Sequence, residues 1–193
     1  MALRLGPITL PFGGKNRADD PYWHYYINHE PFDTANTVND MLLNAPEGVI
    51  FPTKEDLHTP EITSDHLKQL ADYLGADLIG IAKLDPADNP DGEDYPFAVV
   101  CVVKADEDPR TAKGIGGQVP VTNALFATFV LSAYMRELGY RATAEYHPDA
   151  DRLAAKAGLG TVNAEGRLTT PKYGSAVHVA KLIRTDLPLA VDR

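Results

Sequence analysis

The stretch AGLGTVNAEGRLTTPKYG, residues 157–174, places four glycines among few large side chains. Glycine at this density indicates a backbone that bends sharply or that another group approaches closely. A Rossmann fingerprint is excluded, because its third glycine is missing and the run follows a predicted helix instead of a strand. No P-loop pattern occurs either. The residues alone leave two interpretations open: a helix stop at Gly158 with turns at Gly166 and Gly174, or a wall against a ligand.

Helical and strand patterns alternate irregularly upstream of this stretch, which predicts an α/β (α+β) fold, a mixed sheet flanked by helices. Ser64 is the expected N-cap of the first helix, and Gly75 and Gly139 are the expected stops of two helices. The longest helix is apolar nearly all round, which is typical of a buried helix. The predicted helices cover 64–75, 122–139 and 149–158, and the predicted strands cover 76–84, 97–104, 140–147 and 176–189.

The first 60 residues differ from the rest, since they hold seven prolines and no sustained helical or strand period. The segment DPYWHYYINHEPFD, residues 20–33, adds Tyr22, Trp23, Tyr25 and Tyr26. A segment this aromatic is not typical of disorder. We therefore predict an irregular aromatic and Pro-rich N-terminal arm over 1–60 and one packed domain over 61–193.

Composition narrows the function classes. The net charge of −9 argues against nucleic acid as a partner, because phosphate backbones recruit Lys and Arg. The single cysteine, Cys101, cannot form an internal disulfide or an iron–sulfur site by itself. No apolar run approaches the roughly 20 residues that span a bilayer, and the N-terminus does not read as a signal peptide. We expect a cytoplasmic protein with no membrane partner.

The run from residue 157 to residue 189 resembles a known family. It combines A-G-L-G, G-R-L-T-T-P-K-Y-G and T-D-L-P-L in the order found in the corrinoid-binding domain of reductive dehalogenases and epoxyqueuosine reductases. Upstream pieces, including L-G-Y after the long helix, occur in the same order, so the resemblance covers roughly residues 62–189. It implies a nitroreductase-like fold that holds cobalamin, the glycine-rich segment wrapping the corrinoid.

The resemblance also implies which residues form the wall. A corrin is wide and flat, and its amide groups need backbone partners at close range, which glycine allows. We expect ligand approach to explain Gly160, and we leave Gly166 open. The candidates are Gly158, Leu159, Gly160, Asn163, Gly166, Leu168, Thr170, Pro171, Tyr173 and Gly174, together with His178 on the following strand.

The sequence departs from the family pattern at several points. Asn163 stands where the dehalogenases have their middle glycine, and Val121 stands where they have a proton-donating tyrosine. The cysteine runs that bind two iron–sulfur clusters after T-D-L-P-L are absent from this sequence, so electrons for cobalt would come from a separate protein or a small reductant. The catalytic residue is unknown, with His147 as the one candidate. His24 and His29 have no cysteine helpers, which argues against a zinc site.

Three functions remain open from the sequence. The first is a cobalamin-dependent reductase with an external electron donor. The second is a non-catalytic cobalamin carrier or sensor. The third is an FMN-binding oxidoreductase, often dimeric in this fold, whose phosphate grip would come from Arg136, Arg141, Arg152, Lys156 and Arg167. A homodimer is left open as a partner.

Overall fold

The computed structural model of the protein describes residues 4–5, 8–9, 31–105, 117–179 and 181–192. Its helices are α1 (Pro31–Asn44), α2 (Pro60–Tyr73), α3 (Val119–Glu137) and α4 (Ala150–Lys156). Its strands are β1 (Arg4–Leu5), β2 (Ile8–Thr9), β3 (Leu78–Lys83), β4 (Phe97–Lys104), β5 (Ala142–Glu145), β6 (Thr161–Val162), β7 (Leu168–Thr169), β8 (Val177–His178) and β9 (Leu182–Thr185). None of the helices over these residues is long and apolar enough to cross a membrane.

The main sheet has the order β3–β4–β9–β5, and β8 pairs with the far end of β4 beyond β9. This confirms the α/β class. The expectation of mixed strand directions is wrong, because every pairing among the described strands is antiparallel. β4 and β5 do run in the same direction, as their connection through α3 favours, but β9 lies between them.

The two faces of the sheet carry separate apolar clusters. On one face α2 and α3 cover the odd-numbered residues of β4, with Leu67, Leu131 and Met135 at the centre. On the other face α4 and the glycine-rich segment cover the even-numbered residues, with Leu153 and Leu168 at the centre. β4 is buried on both sides, as its continuous apolar run predicts.

The predicted helix ends are partly right. α2 begins four residues earlier than expected, because Pro60 occupies its first turn and the hydroxyl of Thr59 accepts from the Ile62 amide. Ser64 is buried inside the helix, and its hydroxyl accepts from the Ala190 amide at 2.8 Å. The predicted stop after α3 is confirmed: the helix ends at Glu137, and Gly139 has φ +83°.

The prediction of an irregular arm is wrong for Pro31–Asn44, which form α1. The helix packs on α3, where the Asn39 amide donates to Gln118 Oε1 at 2.9 Å and its Oδ1 accepts from the Thr122 hydroxyl. Helix α3 itself is not buried all round, since Phe126 is 46% exposed. The aromatic residues 22–26 lie outside the described ranges.

Both edges of the main sheet are capped by groups from elsewhere in the chain. At β3, Asp192 accepts from the Ile81 amide and donates its own amide to the Ile81 carbonyl, each at 2.9 Å. At β5, the Arg136 guanidinium donates to the Ala142 carbonyl at 2.8 Å, and the Glu47 carboxylate accepts from the Ala144 amide at 3.3 Å. These contacts satisfy outward backbone groups at each edge.

Candidate functional site

The glycine-rich segment runs from the end of α4 through the β6–β7 hairpin to β8. Gly158 has φ +76° and follows the last turn of α4, which confirms the predicted helix stop. The side-chain oxygen Oδ1 of Asn163 accepts hydrogen bonds from the backbone amides of Glu165 and Arg167 at 2.9 and 3.0 Å, and so fixes the hairpin turn. Gly166 has φ +77° with open space around it, so backbone conformation explains this glycine.

Gly160 is glycine for a different reason from the one expected. A Cβ atom built there would lie 2.2 Å from the Thr169 carbonyl oxygen and 3.0 Å from the Thr170 Cα. The group that approaches Gly160 is therefore the chain's own strand β7. The expectation that a ligand approaches this position is wrong.

Three further wall candidates face the interior of the protein. Leu168 is 1% exposed and lies in the second apolar cluster, and its amide donates to Asp151 Oδ1 at 2.8 Å. Leu159 packs against the same cluster. The hydroxyl of the buried Thr170 accepts from the Tyr173 amide at 3.0 Å and so closes its own turn. These side chains hold the segment on the sheet.

The remaining candidates form an outer rim that a ligand can reach. Asn163, Gly166 and Pro171 are exposed, while Tyr173, Gly174 and His178 are half-buried. The turn at residues 170–174 is closed by reciprocal backbone hydrogen bonds between Thr170 and Gly174, each 2.9 Å. The space beside Gly166 and Gly174 is open for a Cβ and therefore for another group. The outer half of the segment is therefore accessible, whereas Leu159, Leu168 and Thr170 pack the inner half on the sheet.

His147, the candidate catalytic residue, serves the fold. Its side chain is buried, its Nδ1 accepts from the Asp149 amide, and its Nε2 lies 3.1 Å from the Asp88 carbonyl oxygen. An accepting Nδ1 places the proton on Nε2, which donates to that carbonyl. Both ring nitrogens are therefore occupied by backbone groups, and the structure gives no support to a catalytic role.

The loop at residues 85–96 is fastened to the domain by ion pairs. Burial raises the pKa of Asp88, but hydrogen bonds from Arg152, the Asp85 amide and Lys156 outweigh burial and lower the pKa to about 2. The Arg152–Asp88 contact is 2.5 Å. Further along the loop, Asp91 binds Arg184 with both carboxylate oxygens.

These contacts bear on the flavin alternative. Each of the five cations considered for a phosphate grip already contacts a group of this chain. The contacts are Arg136 with the Ala142 carbonyl, Arg141 with Asp94, Arg152 with Asp88, Lys156 with Asp85, and Arg167 with Glu165. A phosphate would have to displace these partners, so these five cations offer no ready site for it.

A lysine that the sequence reasoning missed lines a cleft of about 480 Å³ between α1 and β5. The Lys181 ammonium donates to the Leu43 carbonyl at 3.3 Å, and burial lowers its pKa despite the nearby carboxylates of Glu47 and Glu145. Its place inside the strand predicted over 176–189 gave no signal of this cleft. Val121, at the position of the family's tyrosine, packs against an apolar cluster beside α1.

No group of three or more His, Cys, Asp or Glu side chains in the described ranges is arranged to hold a metal ion. His24 and His29 lie outside those ranges. Cys101 is fully buried in β4, and burial raises the pKa of its thiol to about 12.

No family model and no curated protein matches the chain. Solved structures do. A catabolic reductive dehalogenase superposes with a TM-score of 0.69 and 24% identity, over 84% of this chain and 25% of its own. A second reductive dehalogenase structure, described as suggesting a mechanism for B12-dependent dehalogenation, superposes with a TM-score of 0.69 and 25% identity. It too covers 84% of this chain and 25% of its own. The chain has the fold of this part of the reductive dehalogenases.

The chain spans about a quarter of the length of those enzymes, so the comparison concerns a domain and not the whole enzyme. The epoxyqueuosine reductase of Bacillus subtilis also matches, with a TM-score of 0.46 and 17% identity over 68% of this chain and 47% of its own. A similarity at that level carries no argument about function. The superposition on the reductive dehalogenases confirms the fold that the resemblance of the glycine-rich segment predicted.

Proposed function

We propose that this chain is a corrinoid-binding domain that holds cobalamin on the outer rim of its glycine-rich segment. The observation that carries the proposal is the superposition on a reductive dehalogenase described as B12-dependent, over 84% of this chain. The glycine-rich segment supports it, because its outer half has accessible backbone groups and a half-buried aromatic ring, Tyr173.

Different rim residues would make different contacts with the ligand. Gly166, Pro171 and Gly174 would allow the backbone to approach the amide groups of a corrin. Tyr173 and His178 would cover apolar surface of the ring, which is how cofactor sites usually bury a flat ligand. When bound, cobalamin would supply the redox chemistry of cobalt, and the protein would supply the cavity and its charges.

We propose that any reduction at this site uses electrons from outside the chain. Cys101 is one thiol, it is buried, and its pKa of about 12 keeps it protonated. It cannot hold an iron–sulfur cluster by itself.

A non-catalytic cobalamin carrier or sensor is the second candidate. Val121 favours it, because a valine packed in an apolar cluster cannot donate a proton where the dehalogenases have a tyrosine. The FMN alternative has less support, since the proposed phosphate-binding cations are already engaged. Turnover with a chemical reductant and a halogenated or epoxide substrate separates the reductase from the carrier.

Binding is tested by titrating the purified protein with hydroxocobalamin and, separately, with FMN, while the visible spectrum is followed. We expect a shifted cobalamin spectrum with a saturable dependence, and weakened binding in Tyr173→Leu. Tyr134→Leu is the matched control, because Tyr134 is a partly exposed tyrosine on α3 that lines a different cleft. Tight FMN binding without a cobalamin response would overturn the proposal.

A further inference from the structure

A buried arginine on β9 anchors the acidic loop at residues 85–96. Arg184 is 1% exposed. Its neighbours on the strand, Ile183 and Thr185, are uncharged, so the partners of this buried charge come from elsewhere in the chain. Its two terminal nitrogens donate to the two oxygens of Asp91 at 2.9 and 2.5 Å, and one of them donates also to Asn89 Oδ1 at 2.9 Å. The Asp91 contact is a bidentate fork, the geometry that arginine uses to recognise a carboxylate.

The surroundings of Arg184 are rigid and apolar on one side. The Tyr95 ring centroid lies 5.0 Å from its guanidinium carbon, and Glu145 on β5 forms a second ion pair with it. The Arg184 Nε atom is buried and has no hydrogen-bond partner among the described residues. Glu145 and Tyr95 therefore contact the guanidinium independently of Asp91.

Asp91 differs from the groups around it, because it is the movable part. Its side chain is 43% exposed, and it lies between Pro90 and Gly92, which has φ +78°. A cleft of about 400 Å³ opens beside it and is lined by Asn89 and Tyr95, both of which contact Arg184. The cleft therefore borders two of the residues that contact the guanidinium.

We infer that Arg184, Asn89 and Tyr95 form a carboxylate-binding site that the chain fills with its own Asp91. Displacement of the Asp91 side chain, with Asn89 and Tyr95 kept in place, exchanges it for the carboxylate of a small external ligand. The cleft also contains Asp85, Glu93 and Asp94. Lys156 pairs with the first of these, and Arg141 pairs with the other two, so each has a cationic partner, but the cleft keeps a net negative charge that an incoming anion has to overcome.

The inference does not depend on cobalamin binding and is tested by chemical rescue. Asp91→Ala empties the fork, and acetate should then raise the melting temperature with the logarithm of its concentration. Mass action predicts a rise of about 3–6 °C for each tenfold increase above the dissociation constant. Sodium chloride at the same ionic strength should not reproduce it. In the wild-type chain Asp91 competes intramolecularly, so the same acetate should have little effect.

Asp94→Ala is the matched control. Asp94 also pairs with an arginine, at 2.7 Å from Arg141, but its side chain is 87% exposed and belongs to no enclosed fork. If Asp91→Ala does not fold, Asp91→Ser also removes the carboxylate and shortens the side chain, and it is used in its place. Hydrogen exchange of amides 89–94 in the wild-type chain gives a second readout, since acetate should accelerate it more than chloride does. Equal effects of acetate and chloride, or equal rescue of Asp94→Ala, would overturn the inference.

Discussion

Replacing Gly160 by alanine tests whether the glycine-rich segment is shaped by the fold or by a ligand. The new Cβ would lie 2.2 Å from the Thr169 carbonyl oxygen and 2.9 Å from its carbonyl carbon. Backbone atoms cannot rotate away as the end of a side chain can, so β7 would have to shift. Overpacking of this kind costs typically about 1–3 kcal/mol, and we expect the upper half of that range. For a chain of this size the melting temperature should fall by about 4–12 °C.

Gly166→Ala is the matched substitution in the same segment. Its Cβ meets nothing within 4 Å, but the φ of +77° strains any residue with a side chain, and the expected cost is about 1 kcal/mol. Thermal and urea unfolding of both variants, with and without hydroxocobalamin, compares the two causes. Gly160→Ala should lose stability by the same amount in either condition. An unchanged melting temperature combined with weakened cobalamin binding would refute the reasoning, because the methyl group would then project towards a ligand.

Three further predictions concern stability and reactivity. Leu168→Ala should destabilise the ligand-free protein by about 2–5 kcal/mol in urea unfolding, because its side chain is fully buried. The control, Val162→Ala on the exposed hairpin, should lower the free energy of unfolding by less than about 1 kcal/mol. Equal losses in the two variants would place Leu168 outside the core. The pKa of Asp88 is lowered in the folded state from 3.8 to about 2. Its contribution to stability, about 2 kcal/mol, is therefore present above the unfolded pKa and is lost as the pH falls from about 5 to about 2. Asp88→Asn should flatten the acid branch of a stability–pH curve, and an unchanged acid branch would contradict this. Cys101 should resist a thiol reagent at pH 8 until the protein unfolds, because the pKa of the buried thiol is about 12; rapid labelling of the native protein would show that β4 opens.

The sequence predicted the elements whose signal is local. The apolar run of β4 and the glycines that end α2, α3 and α4 were identified correctly, because each depends on neighbouring residues only. The start of α2 was misplaced, since Ser64 is an equally good cap by type and only packing shows that its hydroxyl is used by Ala190. α1 was missed, because Pro31 resembles the other prolines of the N-terminal region although it occupies a helix's first position.

The candidate site was predictable in position but not in detail. The motif placed the glycine-rich segment, but pattern alone cannot separate a glycine that faces a ligand from one that faces its own chain, as at Gly160. The roles of His147 and Arg184 depend on partners about 60 and 90 residues away in sequence, so spacing gave no signal for them. Lys181 carries no motif at all, and only the cleft around it distinguishes it from other lysines.

The capped edges of the main sheet have a consequence for self-association. An uncovered edge strand presents a row of free amides and carbonyls on which another chain can add a strand, and this is a common first step towards fibrils. In this protein Asp192 covers β3, while Arg136 and Glu47 cover β5. Each cap is a charged side chain, which an incoming strand would have to strip of its partner before pairing. Replacing Glu47 or Asp192 by alanine should therefore clearly increase polymerisation, while the free energy of unfolding of the monomer should change little.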